Sequence, residues 1–311
     1  MTIAIRCQDL RKRYDNKVDA VSGIDLEVGV SQCFGLLGPN GAGKTTTVEI
    51  LEGLLEPTSG EVEVLGRRWR EPGAHLRERL GITLQETRFS EKLTVRETLR
   101  LFKSFYRKSQ DLTQVLDSVS LIDKATTLVA KLSGGQKQRL AVACALVGSP
   151  EILFLDEPTT GLDPQSRRQV WDIVRRFQTQ GGTVLLTTHY MDEAERLCDQ
   201  VAIVDHGKVI ARGSPRALIH SLGGDHVVEF SVAANAAGEL DQARMLAIPS
   251  AIQCRREGEL HQLTVREAHV AIPALLELLR RDHYELSSLT TRHASLEDVF
   301  VNLTGRHLRD D

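Results

Sequence analysis

Short, mostly apolar runs at residues 3–7, 33–37, 81–84, 152–155, 183–188 and 201–204 alternate with stretches in which apolar residues recur every three or four positions. Runs of this length suit strands buried on both faces, and the intervening period suits amphipathic helices, so the pattern predicts an α/β domain with a largely parallel sheet. Between Thr94 and Gly148 the strand signal disappears. Helical periodicity takes over, opened by Thr94 and Glu97 as a capping box ahead of Leu99, Phe102 and Tyr106. A helical subdomain inserted at about residues 88–148 is therefore expected. The segment GSPRALIHSLGGD reads as a last helix and a linker, with Gly223 and Gly224 at its end, which puts the first domain at 1–222 and a second at 223–311. The second domain shows strand 227–232, helix 236–245, strands 251–255 and 261–265, helix 270–281 and strand 284–290. That β-α-β-β-α-β order predicts a small α+β ferredoxin-like layer. No internal repeat or low-complexity tract interrupts the pattern.

Composition narrows the class. With 41% hydrophobic and 26% charged residues among 311, the chain has the make-up of a globular protein, not a disordered or membrane-embedded one. A formal charge of −3 argues against a strongly basic surface, so no nucleic-acid partner is expected. Cys7, Cys33, Cys144, Cys198 and Cys254 are scattered without a C-x-x-C spacing, which excludes a zinc or dithiol site of that kind and predicts reduced thiols. The apolar stretch 140–147 falls far short of the roughly 20 residues that cross a bilayer, and the opening residues carry no apolar leader core. A cytoplasmic protein is expected.

The strongest chemistry follows the run 33–37. Gly38, Pro39, Asn40, Gly41, Ala42, Gly43, Lys44 and Thr45 satisfy G-x-x-x-x-G-K-[ST] between an expected strand and a helix that begins near Thr46. Successive backbone N–H groups of such a loop curl around an anion, the helix presents its positive end, and Lys44 adds a full charge for β- and γ-phosphates. Thr45 can offer its hydroxyl to Mg²⁺. A Gly-rich turn with an incidental lysine is the bland alternative, and the strand and helix on either side weigh against it.

The run 152–155 ends in Asp156 and Glu157. Mg²⁺ keeps several waters and takes few carboxylates, so Asp156 suits the metal and Glu157 suits the base that orients and deprotonates an attacking water. An isolated Asp-Glu pair is usually an exposed turn, but here Pro158 and Gly161-Leu162-Asp163 build a loop after a buried run. Gln85 and His189 end two other expected strands, at the sheet edge where ligands of parallel sheets bind. Taken alone, either could equally be a cap or a satisfied surface group. Ser133, Gly134, Gly135 and Gln136, after Leu132, open the helical stretch 137–147. Ser133 and Gln136 form an ordinary capping box, yet two glycines at a helix start cost about 1 kcal/mol each against alanine. Their free N–H groups offer a second phosphate-binding end, which requires two nucleotides or one shared between two subunits.

GPNGAGKTT, LSGGQ and ILFLDEP, in this order with Gln85 and His189, resemble the ATP-binding cassette (ABC) ATPases over residues 1 to about 220. The resemblance implies a P-loop NTPase core that binds ATP and Mg²⁺ and sandwiches ATP between the cradle of one subunit and the LSGGQ of another. On this chain it implies that Tyr14 stacks on adenine and that Gly38 to Thr46 wrap the phosphates. Thr45, Gln85 and Asp156 then serve the metal, Glu157 is the base, His189 contacts the γ-phosphate, and Asp163 lies at the dimer seam. Tyr14 sits in the basic run RKRYDNK, where a solvated surface residue is the alternative. The tail SLEDVFVNLTG is similar to that of bacterial exporter subunits of the daunorubicin-resistance, polysaccharide and lipid branch. The implied partners are a transmembrane permease chain and a second cassette, either a copy or a paralogue, at the inner face of the cell membrane. A soluble, non-transport ABC ATPase is the alternative, although the long coiled coil or second cassette usual in those is not present.

Overall fold

A computed structural model describes residues 2–15, 17–69, 76–84, 87–233 and 240–305. The chain divides into two compact units between Ser214 and Pro215. The sequence pattern suggested a boundary at 222/223; the short helix over Pro215–His220 falls instead in the second unit.

The first unit is built on two sheets. Its elements are β1 (Ile3–Tyr14), β2 (Val18–Gly29), β3 (Cys33–Leu37), α1 (Lys44–Leu51), β4 (Ser59–Val64), β5 (Leu80–Thr83), α2 (Val95–Lys103), α3 (Leu112–Ser118), α4 (Gly134–Leu146), β6 (Ile152–Asp156), α5 (Pro164–Thr179), β7 (Thr183–Thr188), α6 (Met191–Leu197), β8 (Gln200–Asp205) and β9 (Lys208–Gly213). The larger sheet runs β5-β6-β7-β3-β8-β9, parallel throughout except for β9. Every residue of β3, β6 and β7 is buried, which is why these strands read as continuous runs instead of alternating ones. The order places β7 between the strand that leads into the glycine-rich loop and the strand that ends in Asp156.

The smaller sheet, β2-β1-β4, is antiparallel and was not anticipated beyond residues 3–7. Its strands alternate charged outward positions with Ile5, Cys7, Leu10, Ile24, Leu26 and Val28, which are buried in the main core. The basic residues at 11–13 belong to β1. Arg13 is held by both carboxylate oxygens of Asp19 across the hairpin, an exposed pair that orders the strand ends more than it stabilises them.

The helical insertion holds α2, α3 and α4, and no strand is assigned across its residues. Thr94 and Glu97 form the expected capping box, Asp111 caps α3, and Ser133 and Gln136 box the start of α4. Arg139 of α4, buried, donates to the carbonyls of Val119 at 2.9 Å and Ser120 at 2.7 Å, clamping the end of α3 to α4.

The second unit contains α7 (Pro215–His220), β10 (His226–Val232), α8 (Gln242–Leu246), β11 (Ala251–Glu257), β12 (Leu260–Val265), α9 (Ala268–Arg281), β13 (Leu286–His293) and α10 (Leu296–Thr304). The sheet order β11-β12-β10-β13, antiparallel at each pairing, is that of a ferredoxin-like layer. The helix expected over 236–245 begins at Gln242 among the described residues, capped by Asp241. Val228, Phe230, Leu263, Leu275 and Leu279 fill the core. His261 is buried with its ring stacked on Phe230 at 5.1 Å. Arg292 reaches Glu229 at 2.8 Å and Asp298 at 2.7 Å, and Asp298 caps α10 together with Ser295. All five cysteines are buried, and burial pushes the Cys7 thiol up to about 12 and those of Cys144 and Cys254 above the ordinary value, while a hydrogen bond with Cys33, followed by burial, raises that of Cys198.

Glu52 closes α1 and is only 2% exposed, and its Oε1 has no hydrogen-bond partner. Burial, aided by the charges of Asp156 and Glu49, pushes its carboxyl up from 4.5 to about 8. The folded state therefore keeps a proton that the unfolded state releases, so stability is full below the unfolded value and declines as pH rises toward 8. Glu52→Gln should remove that decline, gaining on the order of 2–4 kcal/mol at alkaline pH and little under acid conditions. Thermal melts of both proteins across the range check it, and parallel curves would refute it.

Candidate active site

β3 delivers the chain into a loop that packs tightly against the backbone of β8 and β2. A Cβ on Gly38 would overlap the carbonyl oxygen of Val204, and one on Gly43 would overlap that of Ala20. Gly43 also holds φ +97°, in the left-handed region. The first intrahelical bond of α1 runs from the Thr47 N–H to the Gly43 carbonyl at 2.9 Å. The N–H groups of Lys44, Thr45 and Thr46 therefore lie ahead of the ladder and point to the helix N-terminus, where an anion completes them.

Lys44 is 4% exposed. Its ammonium donates to the carbonyls of Gly38 at 2.8 Å and Pro39 at 3.0 Å, and stands 3.9 Å from Glu157 Oε1. Burial lowers its pKa, and the charges of Glu157 and Asp156 work the other way. Thr45 Oγ1 donates to both oxygens of Asp156 at 3.3 Å. A threonine hydroxyl and one carboxylate at the mouth of a phosphate loop suit a hard, largely hydrated cation such as Mg²⁺.

Glu157 leaves β6 with φ +46°, an uncommon backbone for a residue with a side chain. The turn brings its carboxylate inward, 7% exposed, with Oε2 at 3.2 Å from His189 Nδ1 and 3.0 Å from the Thr160 hydroxyl. The His189 contact holds the carboxyl below the usual range, with Thr160 and Lys44 adding to it against the effect of burial. Nδ1 of His189 lies close but off the line of a good hydrogen bond and is buried without another partner. A carboxylate and an imidazole with an unpartnered Nδ1 thus face the same space as the lysine.

The structure brings Lys44, Thr45, Asp156, Glu157 and His189 together. Gln85 lies outside the described residues. Tyr14 ends β1 and is 39% exposed, with Lys12 Nζ 5.2 Å from its ring centroid. Ser133, Gly134, Gly135 and Gln136 open α4, and Asp163 caps α5, accepting from Gln165 and Ser166. Among the described residues, no hydrogen bond or ion pair joins these last two groups to the loop of their own chain.

Two residues escaped the sequence reading. Thr187, fully buried on β7, donates its hydroxyl to Asp156 and accepts the Glu157 N–H at 2.9 Å, so one oxygen aligns both acids. Glu193 of α6, also fully buried, accepts from Thr159 at 2.9 Å and Trp171 at 2.8 Å, tying the loop after Glu157 to α5. The signal for each was a polar residue within an otherwise apolar position pattern, which is costly unless it is bonded.

A sequence model of the family described as ABC transporter matches residues 21–160. The chain is 40% identical over 317 positions to "Nod factor export ATP-binding protein I" of Cupriavidus metallidurans, covering the whole of both. The chain belongs to the ABC transporter ATP-binding subunits. A protein of the same printed name from Burkholderia orbicola is 39% identical over 316 positions, again covering both chains entirely. Among solved structures, an ATP-binding subunit of an ABC transporter superposes with TM-score 0.64 at 28% identity, covering 71% of this chain and 93% of that one. The cbiO1 protein of Clostridium perfringens, part of the ABC transporter complex cbiONQ, gives 0.63 at 28% identity over 70% of this chain and 91% of its own. This ABC subunit binds ATP and hydrolyses it.

If the Thr187 hydroxyl aligns the two acids, Thr187→Val should leave ATP binding within a few-fold and lower kcat roughly 10- to 100-fold, because small misplacements of reacting groups carry costs of that size. Thr187→Ser should restore most of the rate. Steady-state kinetics with nucleotide titrations test this; an unaltered kcat in the valine variant would dismiss the role.

Proposed function

We propose that this chain is the ATP-driven motor of a membrane exporter, with Glu157 as the base of hydrolysis. The observation that carries the chemistry is the placement of a depressed carboxylate 3.2 Å from His189 and 3.9 Å from Lys44. Tyr14 stacks on adenine, and the loop from Gly38 through Pro39, Asn40, Gly41, Ala42 and Gly43 to Thr46 wraps the phosphates. Lys44 exchanges its two carbonyl partners for phosphate oxygens. Glu157 takes a proton from the water whose oxygen attacks the γ-phosphorus, ADP departs, and His189 steadies the γ-phosphate. Thr45, Asp156 and Gln85 would hold Mg²⁺, which would neutralise phosphate charge there.

Ser133, Gly134, Gly135 and Gln136 of one copy cover the nucleotide of the other, with Asp163 at the seam. A bacterial ABC transporter cassette solved as a dimer, 25% identical with TM-score 0.62, supports this arrangement. Export is supported by the relatives named for it, whose similarity runs through both units of this chain. The helical subdomain offers Leu101 and Phe105, 47% and 68% exposed, to a transmembrane permease at the inner face of the membrane. No helix among the described residues is long and apolar enough to cross a membrane.

Glu157→Gln should keep ATP affinity, lose hydrolysis by about 100-fold or more, and accumulate an ATP-bound dimer on size exclusion. Turnover at the wild-type rate would give the base role to another residue. Affinity purification from gently solubilised membranes should recover a stoichiometric polytopic protein; an active chain recovered with soluble protein alone would overturn the transport reading.

A further inference from the structure

Gly134 and Gly135 both lie outside the left-handed region, so neither is glycine for the sake of its backbone angles. Their surroundings differ. A Cβ on Gly134 would stand in open space, with nothing within 4 Å. A Cβ on Gly135 would overlap Ser166 Oγ and lie 2.6 Å from Ser166 Cβ, closer than real carbon atoms approach. Gly134 is exposed and Gly135 is buried.

Ser166 cannot simply turn aside. It stands in the first turn of α5, where its N–H donates to Asp163 Oδ1 at 2.9 Å and its hydroxyl to Asp163 Oδ2 at 2.6 Å. Rotating the side chain away from Gly135 gives up the second of these bonds and loosens the cap of α5. The same serine therefore touches the start of α4 on one side and the Asp163 carboxylate on the other.

We infer that the two glycines answer to different neighbours: Gly134 leaves room for the nucleotide held by the partner copy, whereas Gly135 leaves room for Ser166 of its own chain. Ser166 is then the positioning residue that locks the LSGGQ helix start to the Asp163 cap, so that both segments facing the partner move as one body. The first half rests on the dimer reading proposed above; the second half is a property of a single chain.

The test uses G134A, G135A, S166G, G135A/S166G and G135A/S166A in the full chain. Three readouts are taken: thermal melting without nucleotide, binding of a fluorescent ATP analogue, and ATP-dependent dimerisation in the E157Q background with turnover in the wild-type one. G135A should bind the analogue normally, since its own phosphate loop is untouched, while its melting temperature falls and turnover drops roughly tenfold or more through misplacement. S166G should return the melting temperature of G135A to that of S166G alone, and its dimerisation and turnover to within about threefold of S166G, the non-additivity of coupled neighbours. S166A should rescue less, because its Cβ remains in the way. G134A should keep or raise the melting temperature, lose dimerisation, and gain nothing from S166G.

A double variant no better than G135A in melting and in dimerisation would overturn the assignment, leaving the nucleotide as the reason for both glycines. A wild-type chain that neither dimerises nor hydrolyses ATP would sink the functional reading instead, and the melting series would still decide the Ser166 contact.

Discussion

An ammonium 4% exposed has to be surrounded by acceptors, and Lys44 organises the nucleotide end of the sheet through that requirement. Two carbonyls of its own loop accept its hydrogen bonds, and two carboxylates supply the balancing charge. Those carboxylates must in turn be held against their mutual repulsion, which falls to Thr187, Thr45, Thr160 and His189. The chain of dependence runs outward from the lysine to hydroxyls on α1, on β7 and in the turn after β6. A phosphate chain offers the lysine the same kind of oxygen that the loop carbonyls provide, so nucleotide can replace them without leaving the charge bare.

The topology makes this possible. Because β7 lies between β3 and β6, residues at its carboxyl end sit between the phosphate loop and the acids. Thr187 and His189 are both consequences of that position. Glu193 extends the arrangement to α5, whose first turn carries Asp163 and Ser166. The local strain at Glu157 is retained because the bonds on either side of it, from its N–H to Thr187 and from Thr160 to its carboxylate, fix the turn.

Sequence patterning located β3, β6 and β7 because strands buried on both faces leave an unbroken apolar run, and it singled out the contiguous candidate residues because motif and strand end coincide. It missed β1 beyond residue 7, β2 and β4, where interspersed charged residues hide strands whose other face is core; residues 11–13 looked like a solvated basic run for that reason. The capping boxes at Thr94 and Ser133 were legible since both partners lie within one turn. Thr187 and Glu193 were not, because their importance lies in partners about twenty to thirty positions away. Gln85 keeps the standing the motif gave it, outside the described residues.

Burial of all five thiols has a practical consequence for how this molecule can be studied. Thiolate is the reactive form, and a thiol that is both covered and hard to deprotonate reacts slowly with alkylating reagents. The native surface is thus nearly silent to maleimide chemistry, so one cysteine introduced at an exposed position can carry a spectroscopic label without first stripping the others out. The same silence makes the native thiols a clock: the rate at which each becomes alkylated reports how often its own strand or helix opens.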